Sequence, residues 1–173
     1  YNAHPLIYAY GETNIAITGK GVIDGQGANE NWWAMCGAPK YGWKEGMVAQ
    51  RNGGRERLLM YGETSTPIYK RIMTPEDGMR PQLINFYSCN TVLIEDVTLL
   101  NSPFWVIHPL FCESLIVRGV HVFNRGPNGD GCDPESCKNV LIENCIFDTG
   151  DDCIAIKSGR NADGRKWNIP KIG

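Results

Sequence analysis

Three segments of the chain carry the same pattern at nearly even spacing: CNTVLIEDVTLL (89–100), CESLIVRGVHVF (112–123) and CKNVLIENCIFD (137–148). Each begins with Cys and a polar pair, continues with an apolar triplet, and ends in a second apolar strand after two small or polar residues. A weaker fourth copy is TNIAITGKGVIDGQG (13–27). Self-similarity at a fixed period is typical of solenoids, so the repeat constrains the fold more than any other feature.

The repeat unit predicts one coil of a parallel β-helix. It spans roughly 21–25 residues with short strands and no helical periodicity, and stacked coils then place like residues over like. Cys89, Cys112 and Cys137 occupy equivalent positions, which indicates a row of small buried side chains. The Leu/Asn signature of leucine-rich repeats and the hairpin turns of a β-sandwich are both missing. We therefore expect an all-β chain in which residues 1–173 form part of a single parallel β-helix domain.

Composition narrows the class of protein further. A chain of 173 residues is long enough for one domain with a core, and its formal net charge of −2 gives no reason to expect nucleic acid or an anionic membrane as partner. No apolar run approaches the roughly 18–20 residues of a membrane span. The start, YNAHPLIYAYGETN, does not resemble a secretory signal. The seven Cys residues have no zinc-like spacing, and their odd number precludes complete internal pairing.

Residues 28–80 interrupt the repeat. This stretch includes NWWAMCGAPKYGW, RNGGRER and YKRIMTPEDGMRP, and it holds more Lys and Arg than Asp and Glu. We interpret it as a long insertion that folds over one face of the β-helix, either as a functional element or as a solvated loop.

A cluster of carboxylates follows from the repeat. NGDGC (128–132) matches TGDDC (149–153) at a shift of 21 residues, which predicts Asp130 over Asp151 on the neighbouring coil, with Asp152 diagonal to Asp130. Glycines before these aspartates permit backbone angles that break strand alternation. Three acidic side chains are therefore expected to lie together on one outward surface.

Strand alternation after Asp151 and Asp152 predicts which of the following side chains point inward and which point outward. Ile154 and Ile156 are expected to point inward, whereas Lys157 shares the outward phase of Asp151. Lys157 is thus a candidate to contact a negatively charged ligand.

Like charges at close range raise at least one pKa, which separates a protonated acid from an ionised base. Glycoside hydrolysis requires that division of roles. Two other uses of such a cluster remain open at this point, namely a calcium site and plain turn geometry at β-helix corners.

At these residues the sequence resembles a known family. NGDGCDPESCKNVLIENCIFDTGDDCIAIKSGRNADGR (128–165) is similar to the active-site region of polygalacturonases, the family 28 glycoside hydrolases, and most resembles their bacterial exo-acting branch. Supporting motifs are NSPFWVIHP (101–109), GKGVIDGQG (19–27) and RPQLI (80–84).

This resemblance implies a right-handed parallel β-helix that hydrolyses α-1,4-galacturonosyl bonds in pectin with inversion at the anomeric carbon. The acid that protonates the leaving oxygen corresponds to Asp151. The pair that holds and activates water corresponds to Asp152 and Asp130, and Asn128 matches the Asn of the family's Asn-Thr-Asp motif. The resemblance implies no metal ion and no organic cofactor.

The implied partner is an acidic polysaccharide, polygalacturonate or a related pectin, which suggests a periplasmic or secreted location. Lys157 and His108 are the candidate substrate-binding side chains besides Asn128. Trp105 is a weaker candidate, because a Trp beside Phe104 and Pro103 equally fits core packing. Trp32 and Trp33 either stack on sugars or anchor the insertion.

The sequence departs from the family pattern in two ways. Gly129 stands where the motif usually has Thr, and the Gly-His-Gly and Arg-Ile-Lys segments expected after the Asp pair are missing. We therefore expect the 173 residues to be an internal portion of a longer enzyme, weak or inactive when isolated.

Two other functions remain open. A pectate lyase on the same fold would require calcium and a cationic base, and a non-catalytic carbohydrate-binding β-helix would use the aspartates only for turns. Exo or endo action, plain or decorated galacturonan, oligomeric state and disulfide bonding are not determined by the sequence.

Overall fold

A computed structural model of the chain describes residues 3–166, and the strands in this range form three parallel sheets. The first sheet contains β1 (Ile7–Tyr10), β4 (Ile84–Tyr87) and β7 (Ile107–Leu110). The second contains β2 (Thr13–Thr18), β5 (Asn90–Glu95), β8 (Glu113–Arg118) and β10 (Lys138–Glu143). The third contains β3 (Val22–Asp24), β6 (Thr98–Leu100), β9 (His121–Asn124) and β11 (Ile146–Thr149).

Each turn of the chain visits the three sheets in the same order, so successive coils stack into a right-handed parallel β-helix. The register confirms the repeat: Asn90 pairs with Glu113, and Glu113 pairs with Lys138. The weaker fourth copy is also a coil, since Thr13 pairs with Asn90. The predicted fold class is confirmed.

Inward-facing side chains of adjacent coils form continuous rows. One row on the second sheet runs through Ile15, Val92, Leu115 and Val140, each on the neighbouring coil. Val92 and Leu115 have 2% and 0% of their surface exposed. Because a single coil cannot bury these side chains, the stacking of coils creates the core.

The cysteine row is also confirmed. Cys89, Cys112 and Cys137 are buried, and all seven cysteines, which lie within the described residues, are free thiols. Each thiol of the row lies near backbone carbonyls of the adjoining turn, and Cys112 Sγ donates to the carbonyl oxygen of Phe86 at 3.2 Å. The small side chain therefore fits a corner where backbone polar groups also need partners.

The first sheet continues beyond β7 as isolated bridges. These bridges join Ile107 to Cys132, Leu110 to Glu135, Cys132 to Ile154 and Glu135 to Lys157. The bridged pairs of the last two coils are thus 22 residues apart, so the predicted shift of 21 residues between them is wrong. Ile154 continues the inward row of Ile107 and Cys132 as expected, although it is 45% exposed because no further described coil covers it.

Residues 28–80 form the insertion that the sequence indicated, and no strand lies within it. It contains the helix α1 (Gly54–Glu63) and five short 3-10 segments. The sequence reading did not anticipate α1, because two glycines begin it and its ten residues carry little amphipathic pattern. A second short helix, α2 (Asn161–Lys166), follows the last bridge and packs against α1.

Side-chain contacts hold the insertion against a coil and against α2. Trp33 donates its indole N–H to the carbonyl oxygen of Ser102 at 3.0 Å. Arg71 and Asp163 form an ion pair of 2.6 Å. Trp33 is therefore an anchor of the insertion, which was one of the two roles expected for it. Among residues 3–166, no helix combines the length and the apolar character needed to cross a bilayer.

Candidate active site

The candidate site lies at the corner where the third sheet passes into the first. On one coil the corner runs from Asn124 to Cys132, and on the next it runs from Thr149 to Ile154. Strands before the corner pair at a separation of 25 residues and bridges after it at 22, so the second corner is three residues shorter. This difference in length explains why the shift of 21 taken from motif similarity misplaced the register.

Close backbone packing at this corner requires glycine. Neither Gly129 nor Gly150 has a positive φ, so the expected backbone freedom is not their role. A Cβ at Gly150 would instead lie 2.5 Å from the carbonyl oxygen of Gly126 on the adjacent coil. The left-handed residue is Asn128, with φ 51°.

The aspartates of the corner differ in exposure. Asp151 and Asp152 are exposed, whereas Asp130 has only 4% of its surface exposed. The expectation of a single outward surface is correct for Asp151 and Asp152 and wrong for Asp130. The negative charge of Asp151 still contributes to raising the pKa of Asp130, after the larger effect of burial.

Lys157 lies against the buried carboxylate. Its Nζ is 3.4 Å from Oδ2 of Asp130 and 2.9 Å from Oδ1 of Asp133. The same ammonium group lies 4.3 Å from the centre of the Trp105 ring. Lys157 therefore faces outward from the sheet, as expected, but its charge is shared with two carboxylates of the protein.

Asp133 is a member of the site that the sequence reading missed. Its side chain has no exposed surface. Burial and the charge of Asp130 raise the pKa of Asp133 to about 8, although Lys157 opposes that rise. Asp133 therefore keeps its proton to a higher pH than an ordinary aspartate. The signal in the sequence was its place directly after the inward-facing Cys132, which predicts an outward side chain beside Asp130 and Lys157.

The pKa of Lys157 responds to the same neighbours. Burial acts to lower it, but the hydrogen bonds and charges of Asp133 and Asp130 outweigh burial and raise it. Lys157 is therefore cationic throughout the neutral range and favours the ionised form of Asp130.

Asn128 connects the corner to the exposed aspartate. Its Nδ2 lies 3.5 Å from Oδ2 of Asp151, a long hydrogen bond. Its Oδ1 accepts a hydrogen bond of 2.7 Å from Nη2 of Arg80, a residue of the RPQLI motif. The amide thus lies between a buried cation and the candidate acid.

His108 is held on both ring nitrogens. Nε2 lies 2.8 Å from Oε2 of Glu135, and Nδ1 lies 3.2 Å from the amide nitrogens of Gln82 and Asn85. Asn85 also donates to the carbonyl oxygen of His108 at 2.7 Å, which fixes that amide with its nitrogen toward the ring. Nδ1 therefore accepts a hydrogen bond, and Nε2 carries the ring proton and donates a hydrogen bond to Oε2 of Glu135.

A cavity of about 790 Å³ opens between the insertion and the first sheet. Of the residues predicted for the site, Asn128, His108 and Asp151 belong to its wall, together with Trp105, whereas Asp130, Asp152 and Lys157 do not. The wall also carries several cations, which are Arg51, Arg55, Arg71, Arg80 and Arg160. Cavities of a few hundred to a thousand Å³ accommodate small ligands. The wall also includes four carboxyl groups, those of Glu63, Glu135, Asp151 and Asp163, and Asp163 forms an ion pair with Arg71.

No group of three or more His, Cys, Asp or Glu side chains in the range 3–166 is arranged to hold a metal ion.

Comparison with known proteins gives a consistent result. The family model for glycosyl hydrolases family 28 matches residues 71–169. A probable polygalacturonase from Vitis vinifera is 34% identical over 95% of this chain and 27% of its own length. An exo-poly-alpha-D-galacturonosidase from Dickeya chrysanthemi is 28% identical over 88% of this chain and 26% of its own length.

A solved structure is also similar over nearly the whole chain. The crystal structure of a hyperthermoactive exopolygalacturonase from Thermotoga maritima superimposes with a TM-score of 0.95 at 48% identity, over 98% of this chain and 38% of that one. The chain thus spans about a quarter to two fifths of the length of these relatives.

Proposed function

The chain belongs to the family 28 glycosyl hydrolases, and on that basis we propose that the protein carrying it hydrolyses α-1,4-galacturonosyl linkages in pectin-type polysaccharide. The observation that carries the proposal is the placement of Asn128 and Asp151 in the wall of a cavity rich in arginine, directly beside the buried pair Asp130 and Lys157. Galacturonan is a polyanion, so it suits the wall arginines Arg51, Arg55 and Arg160, which form no ion pair among residues 3–166.

Asp151 is the proposed general acid. It is exposed, it belongs to the cavity wall, and it lies beside the Asn128 amide. In the reaction its carboxyl proton passes to the glycosidic oxygen while the bond from the anomeric carbon to that oxygen breaks. The electron pair stays with the departing oxygen, and Asp151 is left as a carboxylate.

Asp152 and Asp130 are proposed to hold and deprotonate the attacking water. Asp152 is exposed, and it follows Asp130 by 22 residues, the separation of the bridged pairs Cys132–Ile154 and Glu135–Lys157. Burial raises the pKa of Asp130, which makes it a stronger base, while Lys157 favours its ionised form. The water oxygen bonds to the anomeric carbon from the face opposite the leaving group, and its proton passes to this carboxylate pair. That geometry inverts the anomeric configuration.

We assign Arg51, Arg55 and Arg160 of the cavity wall to the carboxylates of the substrate. Arg51 and Arg55 belong to the insertion, and Arg160 follows the last bridge, so they approach the cavity from different directions. We infer action at a chain end rather than within the chain from the insertion, whose residues form one wall of the cavity against the first sheet. The names of the relatives from Dickeya chrysanthemi and Thermotoga maritima are those of exo-acting enzymes.

The test is an assay of the complete protein that carries this chain on polygalacturonate. The wild type should release reducing ends, the products should show an inverted anomer by NMR at early times, and no unsaturated product should absorb in the ultraviolet. D151N should lower kcat by about 10²–10⁴-fold, the usual contribution of a general acid. The control D96N alters an exposed aspartate at a corner of the second sheet and should leave kcat unchanged.

Three results would reject the hydrolase. Unchanged turnover in D151N would show that Asp151 is not the general acid. An ultraviolet-absorbing product that depends on added calcium would indicate a lyase. Binding of polygalacturonate without turnover would indicate a carbohydrate-binding module.

A further inference from the structure

The RPQLI motif has no role in the proposed reaction, yet its first residue is among the most buried side chains of the molecule. Arg80 is the last residue of the insertion, three residues separate it from β4, and 2% of its surface is exposed. It contacts four oxygens: Gln50 Oε1 at 3.2 Å, Pro103 O at 3.1 Å, Pro127 O at 2.7 Å and Asn128 Oδ1 at 2.7 Å.

These contacts join separate parts of the fold. Gln50 belongs to the insertion, Pro103 to the coil of β7, and Pro127 and Asn128 to the corner of the next coil. The guanidinium carbon also lies 4.9 Å from the centre of the Phe104 ring. A planar group with five N–H donors can hold several oxygens in fixed directions, which lysine cannot do.

Arg80 forms no ion pair among the described residues, unlike Arg57, Arg71 and Arg118. Burial lowers its pKa to about 10, so it remains protonated at neutral pH. A buried cation that lacks a carboxylate partner is costly, and a neutral side chain would fill the space at lower cost. The arrangement therefore calls for an explanation beyond stability.

The chemistry of the two side chains supplies one. Arginine has donors and no acceptor, so the Asn128 atom that faces it must be the amide oxygen. The amide nitrogen is then directed to the opposite side, where Oδ2 of Asp151 lies 3.5 Å away. Arg80 thereby determines that Asn128 presents a donor, rather than an acceptor, to Asp151.

We propose that Arg80 is a positioning residue that acts through Asn128: it fixes the amide so that Nδ2–H stabilises the carboxylate that Asp151 becomes after giving its proton to the leaving oxygen. This inference rests on the proposed function and deepens it. A donor aimed at charge that develops in the transition state contributes to kcat rather than to substrate binding. The 3.5 Å separation in the free site allows the bond to tighten as that charge appears.

The test is a double-mutant cycle on polygalacturonate with R80K, N128A and R80K/N128A in the complete protein. R80K and N128A should each lower kcat about tenfold to a hundredfold, the range expected for loss of one aligned group. KM should change less than about twofold. The double variant should be no more than about twofold below the worse single variant, because both changes remove the same donor. R118K, which alters an arginine paired with Glu95 on the second sheet, is the matched control and should keep wild-type kcat.

Several outcomes would overturn the proposal. Losses that multiply in the double variant would show that Arg80 does not act through Asn128. A change in KM with unchanged kcat in R80K would show that Arg80 contributes to substrate binding. An unchanged kcat in N128A would show that the Asn128 donor does not contribute to catalysis, whatever the result for R80K. If R80K does not fold, two other results decide: an unchanged kcat in N128A refutes the proposal, and so does rapid exchange of the Asn128 amide protons in the wild type.

A second measurement does not depend on turnover. The side-chain amide of Asn128 can be followed by ¹⁵N NMR, and its two protons should exchange slowly in the wild type and rapidly in R80K. If the amide protons exchange slowly in the wild type but the protein does not hydrolyse polygalacturonate, the proposed function is refuted. The contact between Arg80 and Asn128 is then still supported. Rapid exchange in the wild type would refute the positioning role itself.

Discussion

The Nζ atom of Lys157 lies 2.9 Å from Oδ1 of Asp133, a carboxyl group with no exposed surface. The pKa of Asp133 is raised to about 8 by burial and by Asp130, against the opposing effect of Lys157. The cation therefore lies between two buried carboxyl groups, and it opposes the rise in the pKa of both. This buried cluster links the stability of the corner to pH and to the proposed reaction.

D133N should flatten the dependence of stability on pH. The folded pKa of Asp133 is raised from 3.8 to about 8, so its contribution to stability is fully present below pH 3.8 and is lost as pH rises toward 8. The free energy of unfolding of the wild type should fall across this window, by at most about 1.4 kcal/mol per pH unit from this group. Denaturant titrations at several pH values would measure the difference between wild type and D133N.

D148N is the matched control for that experiment, because the pKa of Asp148 is shifted in the opposite direction. The hydrogen bond from Arg125 lowers the pKa of Asp148 below 3.8. Its stabilisation is therefore present above pH 3.8 and is lost only as pH falls through the lowered value. A D133N protein with the same slope as wild type between pH 4 and 8 would show that Asp133 does not titrate there.

K157M should move the acid limb of the pH–activity profile to higher pH. The charge of Lys157 lowers the pKa of Asp130 against the effect of burial, so its removal raises that pKa and Asp130 ionises only at higher pH. Profiles of kcat/KM against pH for the complete protein would measure the shift. K138M, a change at an exposed lysine of β10, should leave the profile in place, and an unshifted K157M profile would refute the role assigned to Lys157.

D163N should loosen the insertion. Arg71 is 7% exposed, and its pKa is raised chiefly by the hydrogen bond to Asp163, 2.6 Å away. Loss of the carboxylate leaves a buried cation without this partner, which costs on the order of 1–3 kcal/mol. Limited trypsin digestion should cleave within residues 51–57 several times faster in D163N than in the wild type.

E63Q tests whether that effect is specific. Glu63 and Arg165 join α1 to α2, as Arg71 and Asp163 join the insertion to α2, but they are exposed and 4.0 Å apart. Exposed pairs contribute little to stability, so E63Q should be cleaved at the wild-type rate. Equal cleavage of D163N and E63Q would show that burial of the Arg71 pair does not hold the insertion.

L115A should destabilise the β-helix far more than L141A. Leu115 has no exposed surface and lies in the inward row between Val92 and Val140, whereas Leu141 is 46% exposed on β10. Leu115→Ala removes buried methyl groups and leaves a cavity, at a cost of about 2–5 kcal/mol. The exposed change should cost less than about 1 kcal/mol. Unfolding free energies of the two variants would measure the difference, and equal losses would contradict the assigned inward row.

Much of the fold could be predicted because it depends on a short-range pattern. Inward and outward positions alternate along each strand, and the pattern recurs on each coil, so the rows through Cys89 and Val92 follow from spacing alone. The helix α1 could not be predicted in this way. It begins at Gly54 and is held by contacts to distant residues rather than by a strong local periodicity.

The candidate site was predicted less completely. The doubled motif identified Asp130, Asp151 and Asp152. The register between their coils, however, depends on the length of each corner. The two corners have similar sequences but differ in length by three residues, which motif similarity did not reveal. Asp133 has no counterpart in that motif. Its burial becomes evident only when Lys157 of the next coil lies over it.

The sequence by itself determined that the chain winds into a β-helix and that its acidic residues gather at one corner, because a repeated inward pattern can be buried only by stacking. Tertiary structure alone decided which carboxyl groups are buried, which cation accompanies them, and how Asn128 is oriented by Arg80 from 48 residues away. Protonation and hydrogen-bond direction depend on the local environment in three dimensions, and that environment is assembled from segments with no fixed spacing along the chain.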